Sequence, residues 1–380
     1  MISLIKNVKV YRDGAWKKSD ILFSGSAIEK IDDTVECGYD GLKVYDGEGR
    51  YAIPGLIDSH VHITGGGGEG SFITQVPPIK LSAPVRAGVT TLVGLLGTDG
   101  TTRSVANLVA KTKALNEFGM TAFCLTGNYN YPSPTLTGDV MNDIVFVNEI
   151  IGVKLAISDH RSPNISKEGL IKLASDVRVA GMLGGKAGIV HMHTGRGKIK
   201  YSLLFEILEE TDIPISVFRP SHVGFCYDDA LKFAKMGGYI DFTCFPHDME
   251  DNCRMIIKAL SEAPEGLVTM STDSNGSLPI WNEKNEMIGI GAGRISTLPE
   301  TIAMMVKKCG CPLEDAVRPS TENAARSLGL YPRKGVLAAG SDADMVLLDS
   351  ELMPDTVFAK GVCMVDKKEL LVKANFEDLQ

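Results

Sequence analysis

The chain has only seven histidines in 380 residues, and their placement is uneven. His60 and His62 form an H-x-H pair closing the apolar run GLIDSHVH. In an extended strand, residues i and i+2 point to one face, so both imidazoles can converge on one ion. His193 ends GIVHMHTG, His222 ends IPISVFRPSH, and Asp273 ends GLVTMSTD. Lys154 sits inside GVKLAI, a run with the length and composition of a fully buried strand. Each residue alone has a plain structural explanation: a satisfied core histidine, a turn-capping carboxylate, or a lysine whose head escapes to solvent or meets Asp159. Spread over five strands, they read together as metal ligands. His191 shares a face with His193 by the same parity and competes for the ligand role, whereas His160 and His247 fall in loops.

Four histidines and one carboxylate are few ligands for two divalent ions, which in hydrolases often sit about 3.5–4 Å apart. A bridging anion is missing, and Lys154 can supply it. Burial disfavours an ammonium and lowers its pKa. A neutral amine adds to carbon dioxide to give a carbamate with two oxygens. Imidazole-rich ligation favours zinc, with manganese, cobalt or iron fitting similar sites.

These residues need a scaffold that brings five strand ends together. Short apolar strands near 55–62, 89–96, 120–127, 152–158, 188–195, 213–222, 239–245 and 266–273 alternate with helical stretches such as SKEGLIKLASDVRVAG and YSLLFEILEET. Eight βα units in series predict an α/β fold, a TIM-like (β/α)8 barrel over residues 54–331, whose active site lies at the C-terminal ends of its strands. Residues 1–53 and 332–380 have short alternating segments broken by Gly, Asp and Asn, too few at either end for an independent domain. One small β-sandwich domain assembled from both termini is expected. A net charge of −8 without a basic cluster argues against nucleic acid. Apolar runs fall short of the ~18 residues a membrane span needs. The first residues lack a signal-peptide pattern, and eight cysteines without CxxC pairs suit reduced thiols in the cytoplasm.

AIPGLIDSHVH and GVLAAGSDADMVLLD resemble the opening and closing motifs of the amidohydrolase superfamily, and the resemblance spans essentially the whole chain. Within it, IGVKLAISDHRS, LTGNYNYPSPTLTGD, PSHVG and STDSNGS are similar to the isoaspartyl dipeptidases, binuclear zinc enzymes that cleave β-aspartyl dipeptides. The resemblance implies one zinc on His60 and His62, a second on His193 and His222, and carboxylated Lys154 as the bridge. Asp273 would bind metal and shuttle the proton. It further implies that Glu69 binds the substrate α-ammonium and that Tyr129, with Tyr131 the near alternative, assists at the carbonyl. Arg161 would grip a carboxylate, and Thr98 and Ser277 would make further contacts. A homo-oligomer acting on a small-molecule or dipeptide substrate is implied as well. One departure stands out. A second carboxylate-binding arginine is expected three residues after His222, where this chain has Phe225. Arg219, an odd number of steps before His222, should point to the opposite face. Specificity for another amide therefore stays open, as in an N-acyl-amino-acid deacylase or a cyclic-amide hydrolase. A non-catalytic binding protein on the same fold is the remaining alternative.

Overall fold

The computed structural model describes residues 2–67, 69–281 and 287–377. Eight parallel strands form one sheet in sequence order: Leu56–Val61, Val89–Gly94, Thr121–Gly127, Ile150–Ile157, Ile189–Thr194, Phe218–Ser221, Ile240–Thr243 and Val268–Ser271. They are called here the first to eighth barrel strands. Their residues are almost all buried, as expected when helices cover a parallel sheet. The expected (β/α)8 barrel is therefore present and nearly closed. The first and eighth strands meet at a seam. Here a parallel bridge links Val61 to Ser274, the His62 amide donates to the Ser274 carbonyl at 2.8 Å, and the Thr272 amide donates to Asp58 Oδ1 at 3.1 Å.

Local sequence explains the helices that follow the strands. Ser104 caps Val105–Glu117 by accepting from the Asn107 amide, and Ser166 caps Lys167–Gly184 through the Gly169 amide. The latter helix ends at Gly185 in the left-handed conformation. The sixth strand is shorter than its apolar run, because 213–217 is taken up by a 3-10 turn, Ile215–Val217, after Pro214.

The two ends of the chain build a second, nine-stranded and mainly antiparallel sheet. Strands Ile2–Arg12 to Tyr51–Pro54 come from one end and Met345–Leu348 to Glu369–Leu370 from the other. The join is the pairing of Tyr51–Pro54 with Met345–Leu348. Strands Ala15–Ser24 and Pro354–Ala359 are four steps apart in this sheet, roughly 19 Å if it were flat. Yet the Phe23 and Phe358 rings touch at 5.5 Å. The sheet thus folds over on itself around a core that includes Ile5, Ile21, Phe23, Met345 and Phe358. Beside that core, the buried Lys334 ammonium pairs with Asp342 and Asp344, and the Asp344 carbonyl accepts from the Gly55 amide at 2.8 Å.

Candidate metal centre and active site

At the C-terminal ends of the barrel strands, His60, His62 and Asp273 offer ligand atoms that all lie within 4.8 Å of one another. Asp273 Oδ1 is 3.2 Å from His60 Nε2 and 2.9 Å from His62 Nε2. His222 Nε2 approaches Asp273 Oδ2 at 3.9 Å, beyond hydrogen-bond length. His193 adjoins the group, its ring centroid 4.6 Å from that of His222. Two of these residues owe their aim to unusual backbone. His222 (φ 59°) and Asp273 (φ 53°) turn left-handed as their strands end, a conformation costly for residues other than glycine that recurs at functional sites.

Lys154 is fully buried, and its Nζ lies 3.4 Å from His60 Nε2 and 5.7 Å from the Tyr129 ring centroid. Neither solvent nor Asp159 receives its head. Burial lowers its pKa to about 7, so much of the amine is neutral near physiological pH. Burial, helped by the neighbouring Lys154, lowers His60 to about 3, and burial lowers His193 to about 4. It also carries His191 and His222 well below their ordinary value. These four imidazoles are held neutral at pH 7, the form that binds a metal. Burial acts to raise Asp273, but the His60 and His62 imidazoles outweigh it and keep the carboxylate ionised.

The donor set suits a divalent metal ion. His222 Nε2, facing Asp273, is buried without a hydrogen-bond partner among the described residues. Such an orphaned atom is costly unless something else occupies it. With imidazoles, one carboxylate and a buried amine, the cluster has the ligand types that zinc takes.

Sequence parity put His191 beside His193, and the structure separates their positions. His191 pairs in register with Lys154, whereas His193 pairs with Ala156, two residues nearer the strand ends. His191 Nε2 therefore reaches the back of His60, 3.1 Å from Nδ1, and leaves His60 Nε2 facing the cluster. It is a partner of a candidate ligand, of the kind that orients metal-binding imidazoles. Asp159 emerges as a second such partner. Its Oδ2 lies 3.0 Å from His193 Nε2, and both its oxygens accept from Arg161 at 2.9 and 3.0 Å. His160 is exposed beside it, and His247 is exposed in a loop.

The expected substrate contacts converge on the same opening. Glu69 Oε1 accepts from Ser277 Oγ at 2.7 Å, from Arg161 Nη1 at 3.2 Å and from Thr98 Oγ1 at 3.3 Å. Tyr129 is buried, with its hydroxyl 2.8 Å from His193 Nδ1. Burial raises its pKa well above the ordinary value, so the phenol keeps its proton. Tyr131 instead packs beside Gly169 at the start of a helix. Phe225 stacks on His222 with ring centroids 6.4 Å apart. Arg219 turns away, donating to the carbonyls of Ser216, Phe218 and Ser327.

A parallel barrel with an H-x-H pair and a carboxylate at its strand ends is the architecture of metal-dependent hydrolases. Residues 51–368 match the model of the amidohydrolase family, and the chain belongs to that family. A β-aspartyl dipeptidase from Fervidobacterium islandicum AW-1, solved in complex with the β-Asp-Leu dipeptide, is 40% identical; the match covers 99% of this chain and 100% of that one, with a TM-score of 0.91. A second structure of the β-aspartyl dipeptidase from that organism is 38% identical, with a TM-score of 0.89 and the same coverage. A dihydropyrimidinase from Brevibacillus agri, 18% identical over 98% of this chain and 97% of its own, shares the fold with a TM-score of 0.69. Dihydroorotase of Staphylococcus aureus (strain MRSA252) is 31% identical over 116 residues, 30% of this chain. The chain spans about a quarter (26%) of the length of that curated relative.

Proposed function

We propose that this protein is a binuclear, metal-dependent β-aspartyl dipeptidase. The observation that carries the reading is the Glu69–Arg161 pair beside the histidine–carboxylate cluster, in a chain 40% identical to a β-aspartyl dipeptidase over 99% of its length. A β-aspartyl residue presents an α-ammonium and an α-carboxylate on one carbon. Such a zwitterion can insert between Glu69 and Arg161, each exchanging its partner for a substrate group of the same charge. Ser277 and Thr98 hold Glu69 in place for that exchange. The tight grip of Asp159 does the same for Arg161.

His60, His62, His193, His222 and Asp273, with Lys154 carboxylated as the bridge, would hold two divalent ions, zinc by preference, which generate a nucleophile from water and polarise a carbonyl. Asp273, ionised at rest, accepts the proton of the attacking water and returns it to the leaving amine. Tyr129, kept protonated by burial, is the donor for the carbonyl oxygen as negative charge develops there. His191 and Asp159 fix the orientations of His60 and His193. The hydrolase unit is taken as residues 54–331, with 1–53 and 332–380 as the discontinuous β-domain. Eight free cysteines agree with a cytoplasmic home, and among the described residues no helix is long and apolar enough to cross a membrane. A homo-oligomer completes the proposal.

The test is a turnover panel on metal-replete protein: β-Asp-Leu, α-Asp-Leu, an N-acyl amino acid, hydantoin and dihydroorotate. Hydrolysis of β-Asp-Leu alone supports the reading, and its absence with turnover of a cyclic amide replaces it. Glu69→Gln sharpens the comparison. It should reduce β-Asp-Leu cleavage by roughly 100-fold, the loss of a charged contact, and affect cyclic or acylated substrates far less.

A further inference from the structure

A β-aspartyl dipeptide carries one ammonium and two carboxylates. Glu69 and Arg161 match the zwitterionic end, which leaves the carboxylate of the departing residue without a cation. Arg161 is taken by the α-carboxylate in that pose, and Arg219 is buried on backbone carbonyls facing away. Another guanidinium reaches the histidine cluster by way of Phe225. Arg196 is exposed in the loop after the fifth barrel strand, and its Cζ lies 4.4 Å from the centroid of the Phe225 ring. That ring stacks on His222 and, at 6.0 Å, on Phe245, so the arginine rests on an aromatic stack rooted in the candidate metal centre. Among the described residues Arg196 has no hydrogen bond or ion pair. A guanidinium lying on an aromatic face keeps its in-plane N–H groups free for a carboxylate.

The loop is built to hold this position. The Gly195 amide donates to the Ile157 carbonyl at 3.2 Å and the Gly197 amide to the Ser158 carbonyl at 2.5 Å, pinning the loop to the end of the fourth strand. A Cβ at position 195 would lie 2.4 Å from Asp159 Oδ2, so only glycine allows the approach. Arg196, between these anchors, is directed over Phe225. The leaving residue's carboxylate lies one residue beyond the scissile carbonyl, roughly 3.5 Å further out.

We propose that Arg196, seated on the Phe225 ring, binds the carboxylate of the leaving residue, so that the 195–197 loop sets the enzyme's requirement for a free C-terminus. The proposal rests on the dipeptidase reading, and one experiment separates the two. Steady-state constants are measured for β-Asp-Leu and for its C-terminal amide, β-Asp-Leu-NH2, with wild type, Arg196→Ala and the double variant Arg196→Ala/Phe225→Arg. Wild type should prefer the free acid. Arg196→Ala should lose roughly 10- to 100-fold in kcat/KM on the acid, mostly through KM, with a much smaller change on the amide. Placing an arginine where the ring was should restore part of the preference. Equal losses on both substrates, or no loss on the acid, would overturn the assignment while the dipeptidase reading stands. Wild type inactive on every β-aspartyl dipeptide would overturn the dipeptidase reading and Arg196's role with it.

Discussion

Lys154 concentrates the residue-scale chemistry. A charged amine inside a strand of eight buried residues is an energetic liability, and a neutral one is a carbamate precursor. Lys154→Ala should therefore lower bound metal from two ions per chain toward one or none and reduce kcat by at least about 1,000-fold, consistent with loss of a bridging group. Formate or acetate should recover part of both, as read by metal analysis and turnover. A pH dependence follows as well. The folded-state pKa of about 7 lies below the ordinary 10.5, so between these values the unfolded chain binds a proton that the folded chain does not. Stability therefore rises with pH across that window. Metal- and CO2-free protein should show an increasing urea midpoint from about pH 7 to pH 9. Above that, buried thiols with raised pKa values, such as Cys124, act in the opposite sense. Lys154→Met should flatten the rise.

At the scale of elements, the geometry depends on how strands end. The turn after the eighth strand runs through Asp273 and closes on Gly276, where an added Cβ would lie 2.7 Å from Asp273 Oδ1 and 2.8 Å from His62 Cδ2. Gly276→Ala should displace both side chains, weakening metal binding by tenfold or more on the scale of lost ligand orientation while circular dichroism stays native. His191→Phe, which removes the hydrogen bond behind His60, should cost roughly 10- to 100-fold in metal affinity, measurable by competition with a chelator. Much of this was legible in the sequence, because period-2 parity and strand ends are local properties. All eight barrel strands lie where the apolar runs place them, and His60, His62, His222 and Asp273 converge as that pattern implies. Parity could not distinguish His191 from His193. Both face inward, and only the register against Lys154 shows which is deeper. Asp159 was hidden for another reason. Its reach to His193 depends on the chain turning at Ser158 (φ 53°), which strand periodicity does not report.

At the scale of the whole molecule, a buried charge cluster sits where the terminal sheet meets the barrel. Lys334, 2% exposed, neutralises Asp342 and Asp344, and Asp344 in turn receives the backbone of Gly55 and Lys360. Lys334→Met strands two carboxylates and should destabilise the protein by about 3–5 kcal/mol, read as a lower midpoint in urea. The antiparallel join of Tyr51–Pro54 to Met345–Leu348 means that the small sheet cannot be completed from either end alone. The seam between the first and eighth barrel strands has a consequence in time. The residues that close it, Asp58, Val61 and His62 against Thr272 and Ser274, flank the candidate ligands His60 and Asp273. A ribosome-bound chain that has not yet extended past this second segment carries five of the six candidate ligands but lacks Asp273, the proposed proton shuttle. On the proposed mechanism, hydrolytic competence arrives only when the circle closes, and an abandoned translation product ending before Thr272 would be inert toward β-aspartyl dipeptides.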